Sequence, residues 1–146
     1  MTLQNWRANG WLRPHETTRQ EISDLLQIVD RDLVDARKDM SADWQFGIAY
    51  NAALKLCTVL LSASGYRAER NLQHYRTQQS LPLILGDERQ EDADYLVACR
   101  VKRNQAEYDR VGVVSQGEAE ELIGFVEEFR ETVLRWLQVH HKSLIS

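Results

Sequence analysis

The sequence predicts an all-α protein, an up-and-down antiparallel bundle of about five helices behind an N-terminal arm. Three observations predict it. Apolar residues recur three and four apart over long stretches, the period of a helix with one buried face. Two of these stretches open on capping boxes, Thr18-Arg19-Gln20-Glu21 and Ser115-Gln116-Gly117-Glu118. No stretch alternates polar and apolar residues as a half-buried strand would, and the connections are short.

The 146 residues suit a single domain with one core. Residues 1–15 form the arm, 16–140 the bundle and 141–146 a fraying tail. Charged residues make up 27% and hydrophobic ones 43%, an ordinary globular composition; two prolines and seven glycines argue against disorder. No apolar run approaches the ~20 residues that span a bilayer, and Met1 to Pro14 has no signal layout, so a cytoplasmic protein with no membrane partner is expected.

In the arm, Trp6 and Trp11 are too large and apolar to hang free and should dock on the bundle or on a partner. The first bundle helix begins at Thr18, carries Ile22, Leu25, Leu26, Val29 and Leu33 inward, and ends near Lys38 to Met40. Asp24, Asp30, Arg31 and Asp32 lie away from that stripe. The second takes Ser41 as cap and presents Trp44, Ile48, Ala52, Leu56, Val59 and Ala63, widened by Ala49, Ala53 and Leu60. So apolar a helix belongs at the centre of a bundle, and Gly65 ends it.

A polar, basic connection, Tyr66 to Leu72, leads to a short helix with His74, Leu81, Leu83, Ile84 and Leu85. Pro82 must start or kink it. A fourth helix runs from Asp87 to about Asp109 on the stripe Leu96, Cys99, Arg103, Ala106. The fifth carries Ala119, Leu122, Val126, Phe129, Val133 and Trp136. Cys57 and Cys99 fall among apolar neighbours and read as small core residues. Neither has the companions a metal site needs, so no metal or cofactor is expected.

The net charge of −4 disfavours a dedicated duplex binder, whose affinity comes from neutralising phosphates. The charge is uneven, however. Arg67, Arg70, Arg76, Arg100, Lys102 and Arg103 crowd the middle, whereas six glutamates from Glu118 to Glu131 load the last helix. A local basic cleft on an acidic protein is therefore conceivable, against the alternative of a solvated face.

The stretch Ala98 to Arg110 is the densest in groups able to bind or cleave something. Arg103 lies on the inner stripe, where a charged head must snorkel, find a carboxylate or face a cleft. Glu107, one turn on, offers the purely structural answer of an ion pair. Asn104 and Tyr108 neighbour each other on the adjoining face. Arg103 and Tyr108 would meet only if the helix loosens near Tyr108 or if a second subunit completes the site.

The segment Arg103-Asn104-Gln105-Ala106-Glu107-Tyr108-Asp109 resembles the signature region of the HEPN family (higher eukaryotes and prokaryotes nucleotide-binding domains). Upstream, Ala49-Tyr50-Asn51-Ala52-Ala53-Leu54 and Leu60 to Tyr66 are similar to the second-helix pattern of these bundles. His74-Tyr75 follows where many members carry a His. The resemblance spans about Ser41 to Trp136. It implies an all-helical homodimer, often a metal-independent endoribonuclease and sometimes one half of a toxin–antitoxin pair with a nucleotidyltransferase.

The family's usual motif is an Arg, then a polar residue, then a His. Carried over, Arg103 and Asn104 match, but the His position holds Tyr108, and Asp109 and Arg110 follow. Histidine, titrating near about 6.5, suits proton transfer; tyrosine, near about 10, does not. Arg103, Asn104 and Tyr108 are thus the candidate catalytic residues, with Arg100, Lys102, His74 and Glu107 as binding residues. The expectation is a protein that holds RNA, nucleotide or a partner better than it cuts. An active toxin- or defence-type endoribonuclease and a plain interaction bundle are the alternatives.

Overall fold

The computed structural model describes residues 1–145 and bears out the all-α class. Among the described residues there are seven α-helices: α1 (Leu3–Ala8), α2 (Arg19–Ala36), α3 (Ala42–Ala63), α4 (Gln73–Gln79), α5 (Leu81–Leu85), α6 (Gln90–Asn104) and α7 (Gln116–His140). The expected third helix is two. The chain breaks at Ser80, and Pro82, which has no N–H to donate, sits in the first turn of α5 where none is needed.

The helix α3 is the axis. It packs most extensively on α2 and α7, with α6 and α4 along its remaining sides. Phe46, Ala49, Tyr50, Ala53, Leu56, Cys57 and Leu60 are buried on it, and the small residues among them let neighbours approach closely. By length and composition α3 alone would pass for a membrane span, contrary to the sequence reading. Most of it is buried against the other helices, which accounts for its apolar character. Ser41 Oγ accepts from Trp44 N–H at its start. At its end Gly65, with φ of +94°, takes the left-handed conformation a side chain would strain.

Several expectations need correction. Trp44 is not on the inner stripe: it is 68% exposed, because the buried face of α3 is rotated toward Phe46, Ala49 and Tyr50. Asp32 is buried rather than outward, where it accepts from Arg31 Nη2 at 3.0 Å. Glu21 does not close a capping box. Thr18 does cap α2, but the Glu21 carboxylate turns away to His15 Nε2 (2.7 Å) and Thr17 Oγ1 (2.8 Å). The helix α2 ends at Ala36, short of Lys38. The tail does not fray through its described part. It forms a 3-10 turn at Lys142–Leu144, and Leu144 and Ile145 pack on the core.

The largest omission is a strand pair. Leu12–Pro14 (β1) and Tyr66–Ala68 (β2) pair antiparallel, Leu12 opposite Ala68 and Pro14 opposite Tyr66. Three residues each are too few for alternation to register. The pair ties the arm to the end of α3, so Trp6, 7% exposed, and Leu12 form a second small core with Leu61 and Ala68. Trp11 meets Trp6 edge-on at 5.5 Å and carries the Arg76 guanidinium 3.6 Å above its ring centre.

Candidate functional site

The end of α6 is not a regular helix. After Asn104 it widens into a π turn, Gln105–Asp109, and Arg110 N–H reaches the Gln105 carbonyl at 3.0 Å, five residues back. This loosening falls where the sequence required it if Arg103 and Tyr108 were to approach each other. They do not converge within the chain: Tyr108 is 74% exposed, and no side chain among the described residues pairs its hydroxyl. The following loop is fixed from α3. Asp43 accepts from Gly112 N–H at 2.7 Å and from Val114 N–H at 3.1 Å.

Arg103 is partly buried, with its side chain 25% exposed. Its Nε lies 3.1 Å from Glu107 Oε2, the ion pair foreseen from their spacing. Its Nη1 donates weakly to Asn104 Oδ1 at 3.4 Å. The guanidinium carbon also lies 5.8 Å from the centre of the Tyr50 ring. Tyr50 is buried, and its hydroxyl accepts from Gln78 Nε2 at 2.5 Å. Burial pushes this phenol up to about 12, although Arg100 and Arg103 pull the other way. It stays a neutral core ring beside Arg103. Gln78 is fully buried, and among the described residues its Oε1 has no hydrogen-bond partner.

His74 enters from α4. Leu72, at φ of +56°, bends the chain left-handed just before that helix. The imidazole is held below its usual pKa, first by partial burial and then by Arg100, Arg103 and Lys55. The charges of three cations on α3 and α6 thus disfavour protonation of this exposed imidazole on α4. Of the expected set, the structure brings Arg103, Asn104 and Glu107 into contact, while Arg100 and Arg103 act on His74 through charge alone. Lys102 is diverted to Glu118 across to α7, and that pairing holds the carboxyl down at about 2.

Sequence reasoning missed Tyr50 and Lys55 as site residues. Lys55 carried a signal, since it is the one basic residue between Ala42 and Ala63. It belongs to a stripe, Trp44, Ile48, Asn51, Lys55, spaced four, three and four apart, that faces away from the core. Opposite runs Arg100, Arg103 and Glu107 on α6 and its π turn. The two stripes flank a cleft of about 330 Å³ lined by Trp44, Ile48, Asn51, Arg103, Ala106 and Val111, among others. Its lining is largely apolar, with Arg103 as its one cation and Asp43 and Glu107 as its carboxylates.

Burial pushes the Cys57 thiol up to about 12 and the Cys99 thiol up to about 11, so both are inert at neutral pH. Among the described residues no three His, Cys, Asp or Glu side chains cluster at metal-binding distance.

Comparison with protein-family models, with curated proteins and with solved structures found no match to this chain.

Proposed function

We propose that this chain is a HEPN-like bundle that holds RNA or a nucleotide near Arg103 and His74 and is a degenerate rather than an efficient ribonuclease. One observation carries the reading. On a protein of net charge −4, the charges of Lys55 on α3 and of Arg100 and Arg103 on α6 all bear on His74 of α4. Like charges are brought together at an energetic cost, which a bound phosphate would offset. Arg103 matches the arginine of the resemblance, and Tyr108 still stands where its histidine would be. The same reading makes the protein a cytoplasmic homodimer, with a nucleotidyltransferase-type protein as a conceivable partner. The exposed π turn would face the two-fold mate, a state that light scattering checks.

A second reading, a metal-independent endoribonuclease of toxin or defence type, is favoured by the position of His74. Its ring is neutral at pH 7 and could take the proton from a 2′-hydroxyl. Arg103 would then stabilise the phosphorane, leaving a 2′,3′-cyclic phosphate and a 5′-hydroxyl. The 3.1 Å Arg103–Glu107 pair favours a third, purely structural reading, an interaction bundle.

One experiment separates the three. Labelled single-stranded RNA is incubated in EDTA with the protein and with Arg103→Ala, and both binding and integrity are followed. The proposal expects binding without robust cleavage. The binding should weaken with salt at a logarithmic slope of about −2, as about three phosphate contacts would give. It should fall about tenfold or more in Arg103→Ala, because a charge-assisted contact is lost. Cleavage lost in Arg103→Ala and in His74→Ala would establish the enzyme instead. A lowered Tm with no RNA affinity in either protein would leave the interaction bundle.

A further inference from the structure

The helix α4 reads Gln-His-Tyr-Arg-Thr-Gln-Gln and contains no aliphatic residue. Among the described residues none of its side chains joins either apolar core. A helix of a bundle is held mainly by its apolar face, and α4 has none. Its buried residues are Thr77 and Gln78. The Gln78 amide meets the Tyr50 hydroxyl of α3, while its Oε1 stays without a partner. The other ties are polar: Gln79 donates to Asp94 at 3.3 Å and accepts from Gln90 at 3.2 Å, and Arg76 lies on the Trp11 ring. The start of the helix is weak too. Leu72, half exposed, is the one non-glycine residue at positive φ among the described residues, and no side chain caps the first turn. A leucine in the left-handed region is strained, and that strain is released when the helix lets go. On either side the chain is well anchored, by Ala68 in the small core and by Leu81 in the large one.

We propose that residues 69–80 are a lid, anchored at Ala68 and Leu81, that lifts α4 off α3 and α6 while the rest of the bundle stays folded. Two features of the closed state favour opening. The orphaned Gln78 oxygen finds water once α4 moves out, and Leu72 relaxes. Two others hold the lid shut: the hydrogen bond between Gln78 and Tyr50, and the Arg76 guanidinium on Trp11, which makes the N-terminal arm its latch. An apolar residue in the fully buried place of Gln78 would remove the orphan and fasten α4 to the core. Opening uncovers the Tyr50 phenol, whose ring lies beside Arg103, and carries His74 away from Arg100 and Arg103. The lid needs no ligand, so it stands or falls independently of the RNA reading.

The test is native-state amide hydrogen exchange of the full chain, of Tyr50→Phe and of the double variant Tyr50→Phe/Gln78→Met. Both changes keep side-chain volume, so the bundle persists. In the unaltered chain the amides of residues 77–80 should exchange at least about tenfold faster than those at the centre of α3, which open only with the whole molecule. Tyr50→Phe lies on α3 but leaves both polar atoms of Gln78 unpaired, so it should speed the α4 amides about tenfold or more. The double variant removes the polar pair altogether and should bring their rate back to, or below, that of the unaltered chain. Equal rates in α4 and at the centre of α3 would mean that α4 opens only by global unfolding, and the lid is wrong. If the α4 rates ignore both variants, or if the double variant is as fast as Tyr50→Phe, the helix frays without regard to the Tyr50–Gln78 contact, and the lid is equally overturned.

Discussion

His74 is the residue whose surroundings say most about this protein. Its pKa is lowered by burial and by three cations, so the folded chain binds fewer protons than the unfolded chain in the range below 6.5. Stability is therefore complete above about pH 6.5 and declines as the pH falls through that value toward the folded pKa. His141, also lowered by burial and by His140, acts with the same sign. Replacing His74 by Asn should flatten, without abolishing, the fall in Tm between pH 7 and pH 5. An unchanged slope would mean the cations are not where the geometry places them. If the proposed RNA binding holds, a bound phosphate should raise the His74 pKa, so that affinity should increase as the pH drops toward 6, readable by fluorescence anisotropy of a labelled RNA. Arg103 was legible in the sequence as an anomaly on an apolar stripe. Lys55 and Tyr50 were not, because a single cation on a core helix and a buried tyrosine each look structural until the neighbouring helices are in place.

At the scale of elements, the π turn after α6 decides the geometry of the site. A regular α-helix would carry Gln105 to Asp109 on with the fourth-residue spacing of the stripe; the five-residue bond from Arg110 to Gln105 instead rotates everything beyond Asn104. Asp43 anchors the loop that follows, so the start of α3 holds the end of that turn. Asp43→Ala should cost about 1–2 kcal/mol, the lower part of the range for hydrogen bonds to a charged group, since this site is partly solvated. It should also speed amide exchange at Gly112 and Val114 ahead of the rest of the chain. Uniform acceleration across all helices would instead mean that the loss is global. Sequence periodicity cannot signal a π turn of five residues, because one inserted position leaves the apolar pattern on either side intact. The split between α4 and α5 was half legible, since Pro82 announced a break but not on which side of Ser80 it would fall.

For the whole molecule, the arm is the unexpected part. It is a helix and a strand sharing a small core with the end of α3, not a loose extension. Deleting residues 1–14 would leave β2 unpaired and uncover Leu61 and Ala68. Burying Leu12 alone contributes about 1.5–3 kcal/mol. At roughly 2–4 °C per kcal/mol for a domain of this size, the truncated chain should melt about 5–10 °C lower. Calorimetry of the two forms checks this. An unchanged Tm would assign Trp6 and Trp11 to a partner. The proposed RNA site is on other elements, so any RNA affinity should survive in the shortened chain below its new Tm.

By itself the sequence determined the helical class, the central place of α3, the inert cysteines, the caps at Thr18, Ser41 and Ser115, and the Arg103–Glu107 pair. All of these follow from contacts a few residues apart or from a period that one helix carries whole. Only the tertiary structure decided that Trp44 faces out, that the charges of Lys55, Arg100 and Arg103 bear on His74, that Lys102 is taken by Glu118, and that Leu12 pairs with Ala68. Those facts depend on the rotation of one helix against another and on partners up to tens of residues apart. A shift of a fraction of a turn, which leaves the apolar period unchanged, separates a buried tryptophan from one that lines a cleft.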